Sequence, residues 1–441
     1  MKIAYLLGSL SRGGTETLLL DVFRTADKAN YDFIGVHRKD GPYKDDFYAT
    51  QPLFVQCAPK GKKFVSYLCR LRKLLKKEQV TIAHAQQFID AAYAILATMC
   101  TKIKVVQTFH GYDFGTKGLN KWLLKWSIKH SDAVCFVSEA QKQYYIKKYN
   151  LKCLDKLHVV YNGINFSKLD VVKEPLELPV AKSDRPQGGQ KPLKLAMVGN
   201  FVPGRAQNSA CQFLKKIKDA GAVFDFYFVG KKSDAEPWRF DNCVQYCQEN
   251  GLSDCVHFLG GRGDVPQILK HMDAFIYATD HDTFGIAVIE AIAAGLPTFV
   301  NDWEVMTEVT GNGKWASVYK TNDAEDFCAK FMDFVANIDQ YKNQATSNAQ
   351  QVRAAYSIEQ HMQRLYQVYS DTLSWIVKSC KRLNDYSGPL IFLLRLGIIN
   401  AWHFDKLSDR IASALAAQET RQAQGPNGID SPNHQITVSP I

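Results

Sequence analysis

Features that would place a protein across a membrane, outside the cell or around a metal ion are missing from this chain. No run of about 18 apolar residues occurs, so no segment is predicted to cross a bilayer as a simple helix. The eleven cysteines contain no C-x-x-C pair and no zinc-type spacing with histidine, which indicates buried thiols in a reducing compartment. The apolar run at Met1 is too short for a signal peptide and predicts a first strand. These absences favour a cytoplasmic globular protein.

The composition is that of an ordinary globular chain with an excess of positive charge. Its 441 residues are 46% hydrophobic and 22% charged, enough for two domains of typical size. The formal net charge of +10 suits phosphate-bearing ligands or an anionic membrane face, and it identifies neither. No nucleic-acid partner is expected.

Strand and helix patterns alternate in two sets, which predicts an α/β protein with two parallel sheets. The first set of predicted strands is 3–7, 33–36, 80–83, 104–108, 133–137 and 157–161. The second set is 193–198, 224–229, 256–259, 274–277 and 298–301. Two Rossmann-like domains of this kind would face a central cleft, with ligands at the carboxyl ends of the strands.

The domain boundaries follow from changes in composition along the chain. We predict an N-terminal domain over 1–172, a proline-rich linker over 173–192 and a C-terminal domain over 193–370. Helices over 371–417 are expected to cross back to the first domain. A polar tail over 418–441 has few large apolar residues and is expected to be disordered.

The segment from Asp280 to Pro297 is the most informative stretch. A polar loop and a glycine lead into a helix that is apolar nearly all round, which predicts a buried helix. Glu290 lies in the middle of this helix. A buried carboxylate costs stability unless something pairs with it, so the pattern predicts a partner or a ligand. Asp282 lies eight residues earlier in the chain.

An acid followed eight residues later by a Glu on an apolar helix resembles the acidic pair of retaining GT-B glycosyltransferases, of the group 1 or family 4 type. The resemblance implies that Glu290 holds the ribose hydroxyls of a nucleotide sugar. It implies that Asp282, where the family usually has Glu, holds hydroxyls of the donor sugar. Backbone N–H groups of Phe284, Gly285 and Ile286 would meet the sugar and the phosphates, as helix N-termini commonly do. The alternative is that Glu290 pairs with a structural cation and Asp282 caps a helix.

A second motif, Gly199 to Arg205, follows the first strand of the second domain. It is similar to the family's G-R-L-x-x-x-K pattern, whose two cations hold the nucleotide diphosphate. Arg205 stands at the Lys position, whereas Asn200 stands where the family has Arg and supplies no charge. Arg262 follows a later strand and is either a base-stacking residue or a neighbour of a helix cap. Asp264 is expected to cap the helix that starts at Val265.

The first domain carries two weaker motifs of the same family. Gly13 and Gly14 follow strand one, where glycines let backbone N–H groups approach phosphate. His110 matches the cleft histidine that lies near the donor sugar. The alternative for His110 is a packed histidine in a turn.

Asp280 and Asp282 also form a D-x-D pair, the metal signature of a different glycosyltransferase fold. This pair precedes a long buried helix in the second half of the chain, which is the wrong context for that signature. We therefore expect no metal and no other cofactor, so charge on the diphosphate would be met by Arg205 and the helix N-terminus.

Two basic segments with apolar residues bear on the acceptor. One runs over Lys60–Lys77, and the other, Lys117–Lys129, interleaves lysines with Trp122 and Trp126. Basic and aromatic helices suit an anionic membrane surface. The alternative for both is a Rossmann helix whose lysines are simply solvated. A further apolar segment, 389–402, is too short to span a membrane and could lie at its surface.

These patterns predict a retaining glycosyltransferase that moves a sugar from a nucleotide-diphosphate sugar to a glycan, in cell-surface polysaccharide or lipopolysaccharide assembly. The acceptor is expected to be lipid-linked, and the enzyme to lie on the inner face of the cytoplasmic membrane. Two other classes remain open at this point: a GT-B sugar-nucleotide epimerase, and a catalytically weak protein that binds nucleotide sugars.

Overall fold

The computed structural model describes residues 1–11, 13–26, 32–50, 53–58, 64–171, 176, 178–179 and 191–374, and these form two parallel β-sheets. The first sheet contains β1 (Lys2–Ser9), β2 (Asp32–Lys39), β3 (Leu53–Gln56), β4 (Ile82–Ala85), β5 (Lys104–Phe109), β6 (Ala133–Phe136) and β7 (Leu157–Val159). The second contains β8 (Leu193–Val198), β9 (Phe224–Val229), β10 (Val256–Phe258), β11 (Ala274–Tyr277), β12 (Thr298–Asn301) and β13 (Ser317–Tyr319).

Helices connect the strands on both faces of each sheet. Those of the first domain are α1 (Gly14–Thr25), α2 (Lys44–Tyr48), α3 (Phe64–Lys77), α4 (Phe88–Thr98), α5 (Gly118–His130), α6 (Glu139–Tyr149) and α7 (Ser167–Asp170), with a short 3₁₀ helix at Leu154–Lys156. Those that follow β8 are α8 (Gln207–Asp219), α9 (Trp238–Glu249), α10 (Val265–Lys270), α11 (Ile286–Ala293), α12 (Glu304–Val309), α13 (Ala324–Ala336), α14 (Ile338–Tyr356) and α15 (Ile358–Ser374).

Both sheets have the doubly wound topology that the alternating pattern predicts. The first has the order β3-β2-β1-β4-β5-β6-β7, and the second β10-β9-β8-β11-β12-β13. The strand order reverses between β1 and β4 in one sheet and between β8 and β11 in the other. Ligands of such folds bind at the carboxyl ends of the strands beside these reversals.

The strand predictions hold well in the second domain and less well in the first. β8, β9, β11 and β12 have the predicted ends, because each is rich in apolar residues and none of their residues is exposed. β4 lies two residues later than the predicted strand at 80–83. The short strands β3 and β13 were not predicted. Each contains only one fully buried residue, so its apolar pattern is weak.

The last described helix, α15, returns to the first domain. Ser357 Oγ accepts a hydrogen bond from the Gln360 backbone N–H at 3.2 Å, as its capping-box pattern predicts. Ile358, Met362, Leu365 and Tyr369 pack in the core around β1, so the return begins earlier than the predicted boundary at 371. The Tyr369 hydroxyl donates to Tyr5 Oη at 3.0 Å. The predicted linker lies mostly outside the described residues, as do the helices after 374 and the tail.

Candidate active site

Several of the predicted site residues lie at the carboxyl ends of strands near the reversals of the two sheets. In the second domain, the loop after β8 carries Arg205 and the loop after β11 carries Asp282, and the two loops are joined where Arg205 pairs with Thr279 in an isolated bridge. In the first domain, Gly13 follows β1 and His110 follows β5. The chain therefore brings residues distant in sequence to one cleft between the domains.

The N-termini of α1 and α11 meet across this cleft. A Cβ added to Gly14 would come within 3.4 Å of Ile286 Cδ1, so the first turns of the two helices lie against each other. Gly13 and Gly285 occupy the N-cap positions, and neither helix has a side-chain hydrogen bond at its cap. Two helix ends with free N–H groups concentrate partial positive charge at one place, which suits a diphosphate.

Gly285 is required by the backbone at the start of α11. Its φ of +79° is in the left-handed region, and a Cβ there would lie 2.7 Å from Met306 Cε. The neighbouring Phe284 side chain is buried against Tyr161 and Tyr356, so only its backbone remains for a ligand. Its N–H already points at Asp282 Oδ1, at 3.4 Å.

Glu290 lies on α11 with most of its side chain shielded from solvent, and the partner that its sequence context predicts is not found among the described residues. No described residue donates a hydrogen bond to its carboxylate or forms an ion pair with it. The positive charge of Lys168, on α7, is near enough to affect Glu290 electrostatically. Lys168 Nζ is nevertheless paired with Asp21 Oδ2, at 2.6 Å. Burial raises the pKa of Glu290 to about 7; the charge of Lys168 opposes this shift and that of Asp21 adds to it. An unpaired acid of this kind is typical of a ligand site.

Asp282, which is buried, forms an ion pair with the partly exposed Arg205. Arg205 Nη1 lies 3.2 Å from Asp282 Oδ2, and the same oxygen accepts a hydrogen bond from the Tyr277 hydroxyl at 2.7 Å. Asp282 Oδ1 accepts the Thr283 backbone N–H at 2.7 Å. The Asp282 carboxylate therefore holds its own loop, as the capping alternative expects, and it also binds Arg205. Its role toward a donor sugar stays a prediction.

Asn200 and Arg262, the other predicted donor-binding residues of the second domain, bind protein groups. Asn200 Oδ1 accepts the Lys231 backbone N–H at 2.9 Å, which ties the loops after β8 and β9 together. Arg262 forms a two-pronged pair with Asp264, Nε to Oδ1 at 2.8 Å and Nη2 to Oδ2 at 2.6 Å. Asp264 occupies the N-cap position of α10 as predicted, but its side chain makes no capping hydrogen bond, because its carboxylate is turned to Arg262.

His110 lies beside a cavity of about 340 Å³ in the first domain. Its Nε2 is 2.8 Å from Gln86 Oε1, and its backbone oxygen accepts the Thr283 hydroxyl of the second domain at 2.8 Å. Burial, with a smaller contribution from His361, lowers the pKa of His110 to about 3, so the imidazole is neutral at physiological pH. The histidine is both held by hydrogen bonds and placed at the cleft.

An interdomain contact that the sequence did not indicate lies at the N-terminus of α6. The Glu308 carboxylate of α12 accepts the backbone N–H groups of Glu139 at 2.6 Å and Ala140 at 2.9 Å. Ser138 caps the same helix and donates its hydroxyl to the Thr283 carbonyl at 2.9 Å. These bonds hold the two domains together beside the cleft.

The two acids of the D-x-D pair have different partners. Asp280 pairs with His281, whereas Asp282 pairs with Arg205. Within the part of the chain that the structure describes, no group of three or more His, Cys, Asp or Glu side chains is placed to hold a metal ion.

The basic helices α3 and α5 flank α4 on one face of the first sheet. The exposed residues of α5 include Lys121 and Lys125 together with Leu119 and Trp122, and the N-cap residue Lys117 is also exposed. Trp126 was expected to face a membrane, and that expectation was wrong: it is 8% exposed and packs in the core with α4. On α3, Lys73, Lys76 and Lys77 are exposed, and the basic residues before Phe64 lie outside the described ranges. No described helix is long and apolar enough to cross a membrane.

Comparison with known proteins agrees with this architecture. The structure of Anabaena Alr3699/HepE in complex with UDP superposes with a TM-score of 0.71, at 16% identity over 84% of this chain and all of that chain. A glycosyltransferase from Rickettsia africae gives a TM-score of 0.71 at 19% identity, covering 86% and 100%. The fold is therefore the GT-B fold of two Rossmann-like domains facing a cleft.

Family models place the chain within that class. Residues 12–168 match the model "Glycosyltransferase Family 4", and residues 181–352 match "Glycosyl transferases group 1". The chain belongs to this family of glycosyltransferases and is an enzyme of that type. It is similar to the Escherichia coli UDP-Gal:alpha-D-GlcNAc-diphosphoundecaprenol alpha-1,3-galactosyltransferase, at 24% identity over 74% of this chain and 86% of the relative. It is also similar to the O-antigen chain mannosyltransferase RfbU of Salmonella typhimurium, at 26% identity over 62% and 74%.

Proposed function

We propose that this enzyme transfers a sugar, with retention of configuration, from a nucleoside-diphosphate sugar to a lipid-linked glycan in cell-surface polysaccharide assembly. One observation supports the binding of a nucleotide-sugar donor. The N-termini of α1 and α11 meet without side-chain caps, and Glu290 on α11 has no partner among the described residues. Arg205 lies on a neighbouring loop. The acceptor half is supported by the named relatives, one of which acts on a diphosphoundecaprenol-linked sugar and another on an O-antigen chain.

In this proposal the donor lies between the two domains. Glu290 accepts the ribose hydroxyls, and the N-termini of α1 and α11 receive the diphosphate. Arg205 turns from Asp282 to neutralise the departing diphosphate, and Asp282 then accepts a hydrogen bond from a donor-sugar hydroxyl. Such preorganised charge lowers the barrier for leaving-group departure.

Retention follows, in this proposal, from attack on the same face as the departing diphosphate. Asp282 and Glu290 hold hydroxyls and do not flank the anomeric carbon as the acid pair of a glycosidase would. His110 is a weak base, because its pKa is lowered to about 3, so it cannot hold the acceptor's proton near pH 7. The leaving phosphate is then the base that takes the acceptor proton.

We further propose that α5 rests on an anionic membrane surface at the inner face of the cytoplasmic membrane. Leu119 is 48% exposed and Trp122 is 40% exposed, and three lysines, Lys117, Lys121 and Lys125, are exposed around them. Phe114, just before the helix, is 51% exposed. Basic charge around exposed apolar side chains is typical of helices that bind membrane interfaces.

The test is product analysis with a panel of sugar nucleotides and undecaprenol-linked or shorter lipid-linked sugars. Mass spectrometry should find an acceptor longer by one sugar, and NMR should find the donor's anomeric configuration in the new bond. Isomerised sugar nucleotide without transfer would instead show an epimerase, and binding without any turnover would show a nucleotide-sugar-binding protein.

We also expect transfer to persist in excess EDTA. Arg205 and the two helix N-termini supply positive charge where a metal would otherwise neutralise the diphosphate. Transfer assayed with EDTA should match transfer in untreated enzyme. Complete loss of activity that added manganese restores would make Asp280 and Asp282 metal ligands instead.

A further inference from the structure

Three cysteine side chains of the second domain lie together between α8 and α9. Cys211 is on α8, whereas Cys243 and Cys247 are four residues apart on α9 and therefore share one face of that helix. All three are buried, with exposed fractions of 0%, 1% and 2%. The Sγ atoms of Cys211 and Cys247 are 3.8 Å apart. The proposed transfer reaction does not use these thiols.

The contact between the helices makes Cys247 the more acidic thiol of this pair. A hydrogen bond from the Cys211 thiol stabilises the Cys247 thiolate and lowers the pKa of Cys247, while burial opposes that shift. Hydrogen bonds with Cys243 and Cys247 raise the pKa of Cys211. The third thiol, Cys243, donates to Asn208 Oδ1 at 3.9 Å, one turn before Cys211 on α8. Because the thiolate is the form that attacks an oxidant, Cys247 reacts first.

We propose that Cys211 and Cys247 form a disulfide when the chain meets a peroxide, and that this bond weakens binding of the nucleotide-sugar donor. The Cys247 thiolate attacks one peroxide oxygen and becomes a sulfenic acid, and the other oxygen leaves as water. The Cys211 sulfur then attacks the Cys247 sulfur, and the sulfenic oxygen leaves as a second water. The two thiols lose two electrons and two protons, and the peroxide is reduced to two waters.

The positions of the two sulfur atoms suit this bond. A disulfide holds its sulfurs at about 2.05 Å, so the two Sγ atoms must approach each other by about 1.8 Å. A rotation of the side chains with a small shift of α8 toward α9 supplies this movement. Hydrogen peroxide is hardly larger than two water molecules, and it reaches the buried sulfurs when the helices open locally. The product links two separate helices.

Both helices are attached to the loops beside Arg205. Gln207, in the first turn of α8, donates from Nε2 to the carbonyl oxygens of Gly199 at 3.2 Å and Asn200 at 3.1 Å. Asn200 Oδ1 accepts the backbone N–H of Lys231, in the loop that leads to α9, at 2.9 Å. A shift of α8 toward α9 therefore loosens the bonds that shape the loop of Arg205. The loss of donor affinity rests on the role proposed above for Arg205.

The test compares the full wild-type chain with Cys247→Ser, and uses Cys57→Ser as the matched control. Cys57 is a buried thiol of the first domain. Each protein is treated with hydrogen peroxide, its monomer is isolated by gel filtration, and its disulfides are mapped by mass spectrometry of proteolytic peptides. Calorimetry then measures the Kd of uridine diphosphate, guanosine diphosphate and the two free nucleosides. These measurements are made before oxidation, after oxidation and after dithiothreitol.

We expect peroxide to produce a Cys211–Cys247 disulfide in wild type and in Cys57→Ser. The Kd of the nucleoside diphosphate that binds should then rise roughly threefold or more, because the hydrogen bonds of a charged group are loosened. Binding of the free nucleoside should stay within about twofold, because Arg205 acts on phosphate. Dithiothreitol should restore the first Kd. Cys247→Ser should keep its Kd within about twofold after peroxide; if it does not fold, Cys247→Ala serves in its place.

Two kinds of result would overturn the inference while leaving the transferase proposal intact. A Cys211–Cys243 disulfide, or sulfinic acid at Cys247, in place of the Cys211–Cys247 bond would overturn the site. A mapped Cys211–Cys247 disulfide with an unchanged Kd would overturn its effect on the donor. A reduced wild-type chain that binds no nucleoside diphosphate and transfers no sugar would instead reject the proposed function, and the peptide map would still decide whether the disulfide forms.

Discussion

At the scale of single residues, Glu290 explains most about the cleft. Its raised pKa of about 7 comes from burial without a hydrogen-bond partner among the described residues. An acid whose pKa is higher in the folded than in the unfolded state stabilises the fold below its unfolded value and loses that contribution as pH rises through the folded value. Glu290→Gln should therefore raise the melting temperature at pH 8 and change it little at pH 4, in thermal denaturation at the two pH values.

The same acid should make donor binding depend on pH. Ribose hydroxyls donate to the ionised carboxylate, so binding of a sugar nucleotide should weaken as pH falls below about 7. Calorimetry at pH 6 and pH 8 should show this in wild type, and Glu290→Gln should bind at least ~10-fold more weakly at pH 8 with no such trend, because a lost bond to a charged group costs about 1.5–3 kcal/mol. A Gln variant that binds and turns over donor like wild type would remove Glu290 from the site.

Arg205 should act on phosphate rather than on the nucleoside. Its guanidinium is paired with Asp282 and lies over the Tyr277 ring at 5.6 Å, from where it is placed to reach the cleft. Arg205→Ala should therefore weaken calorimetric binding of a nucleoside diphosphate by ~10-fold or more and leave binding of the free nucleoside nearly unchanged. Arg239→Ala, a change at an arginine outside the site, is the control. Equal losses for both ligands would show that Arg205 supports the fold alone.

At the scale of elements, a strand or helix could be predicted where its own residues show the pattern, but not where its burial depends on a neighbouring element. The strands β8, β9, β11 and β12 could be predicted because their sequences are rich in apolar residues. The helix α11 could be predicted because it is apolar nearly all round, with one acid. Trp122 and Trp126 illustrate the opposite case. They lie four residues apart and their rings stack at 6.2 Å, yet only Trp126 faces the core. Local spacing does not show where α4 lies, and α4 decides which tryptophan is buried.

Partners that are distant in sequence could not be found from local patterns. Glu308 binds N–H groups of α6, and Gln86 is held by His110, only because folding brings these segments together. The family resemblance located Glu290, Asp282, Arg205 and the glycine turns, because those motifs are local. No local sequence pattern shows that Asn200 binds the backbone of Lys231 and so joins two loops.

The helix α5 should bind anionic membranes. Each lysine near such a surface adds roughly 1 kcal/mol of attraction, which falls off over a Debye length of about 8 Å at physiological salt. Replacing Lys117, Lys121 and Lys125 by Gln should cut co-sedimentation with vesicles containing phosphatidylglycerol and leave hydrolysis of soluble donor unchanged. Replacing Lys215, Lys216 and Lys218 of α8 by Gln is the matched control. Wild-type protein that ignores such vesicles even at low salt would make α5 a solvated face.

At the scale of the whole molecule, specific hydrogen bonds beside the cleft join the two domains. The Glu308 carboxylate accepts two of them, from backbone N–H groups of α6 in the other domain. Glu308→Ala should loosen the domains, because removing a charged hydrogen-bond partner costs about 1.5–3 kcal/mol. We expect a larger radius of gyration in small-angle X-ray scattering and a higher donor KM, with both domains still folded.

Glu304→Ala is the control for this prediction. Glu304 is an exposed acid on the same helix, and no hydrogen bond of its side chain is present in the described part of the molecule. It should leave both the radius of gyration and the donor KM unchanged. An unaltered radius in Glu308→Ala would show that the return of α15 to the first domain is sufficient to hold the domains together.

The central claim is that a nucleotide sugar lies in the cleft with its ribose on Glu290 and its diphosphate between α1 and α11. A crystal structure of the full chain with the sugar nucleotide that supports turnover tests this most directly. The account predicts ribose hydroxyls within hydrogen-bond distance of the Glu290 carboxylate, and phosphate oxygens bound by Arg205 and by backbone N–H groups at Gly14 and Gly285. A nucleotide bound away from this cleft, or one with its ribose turned from Glu290, would contradict it.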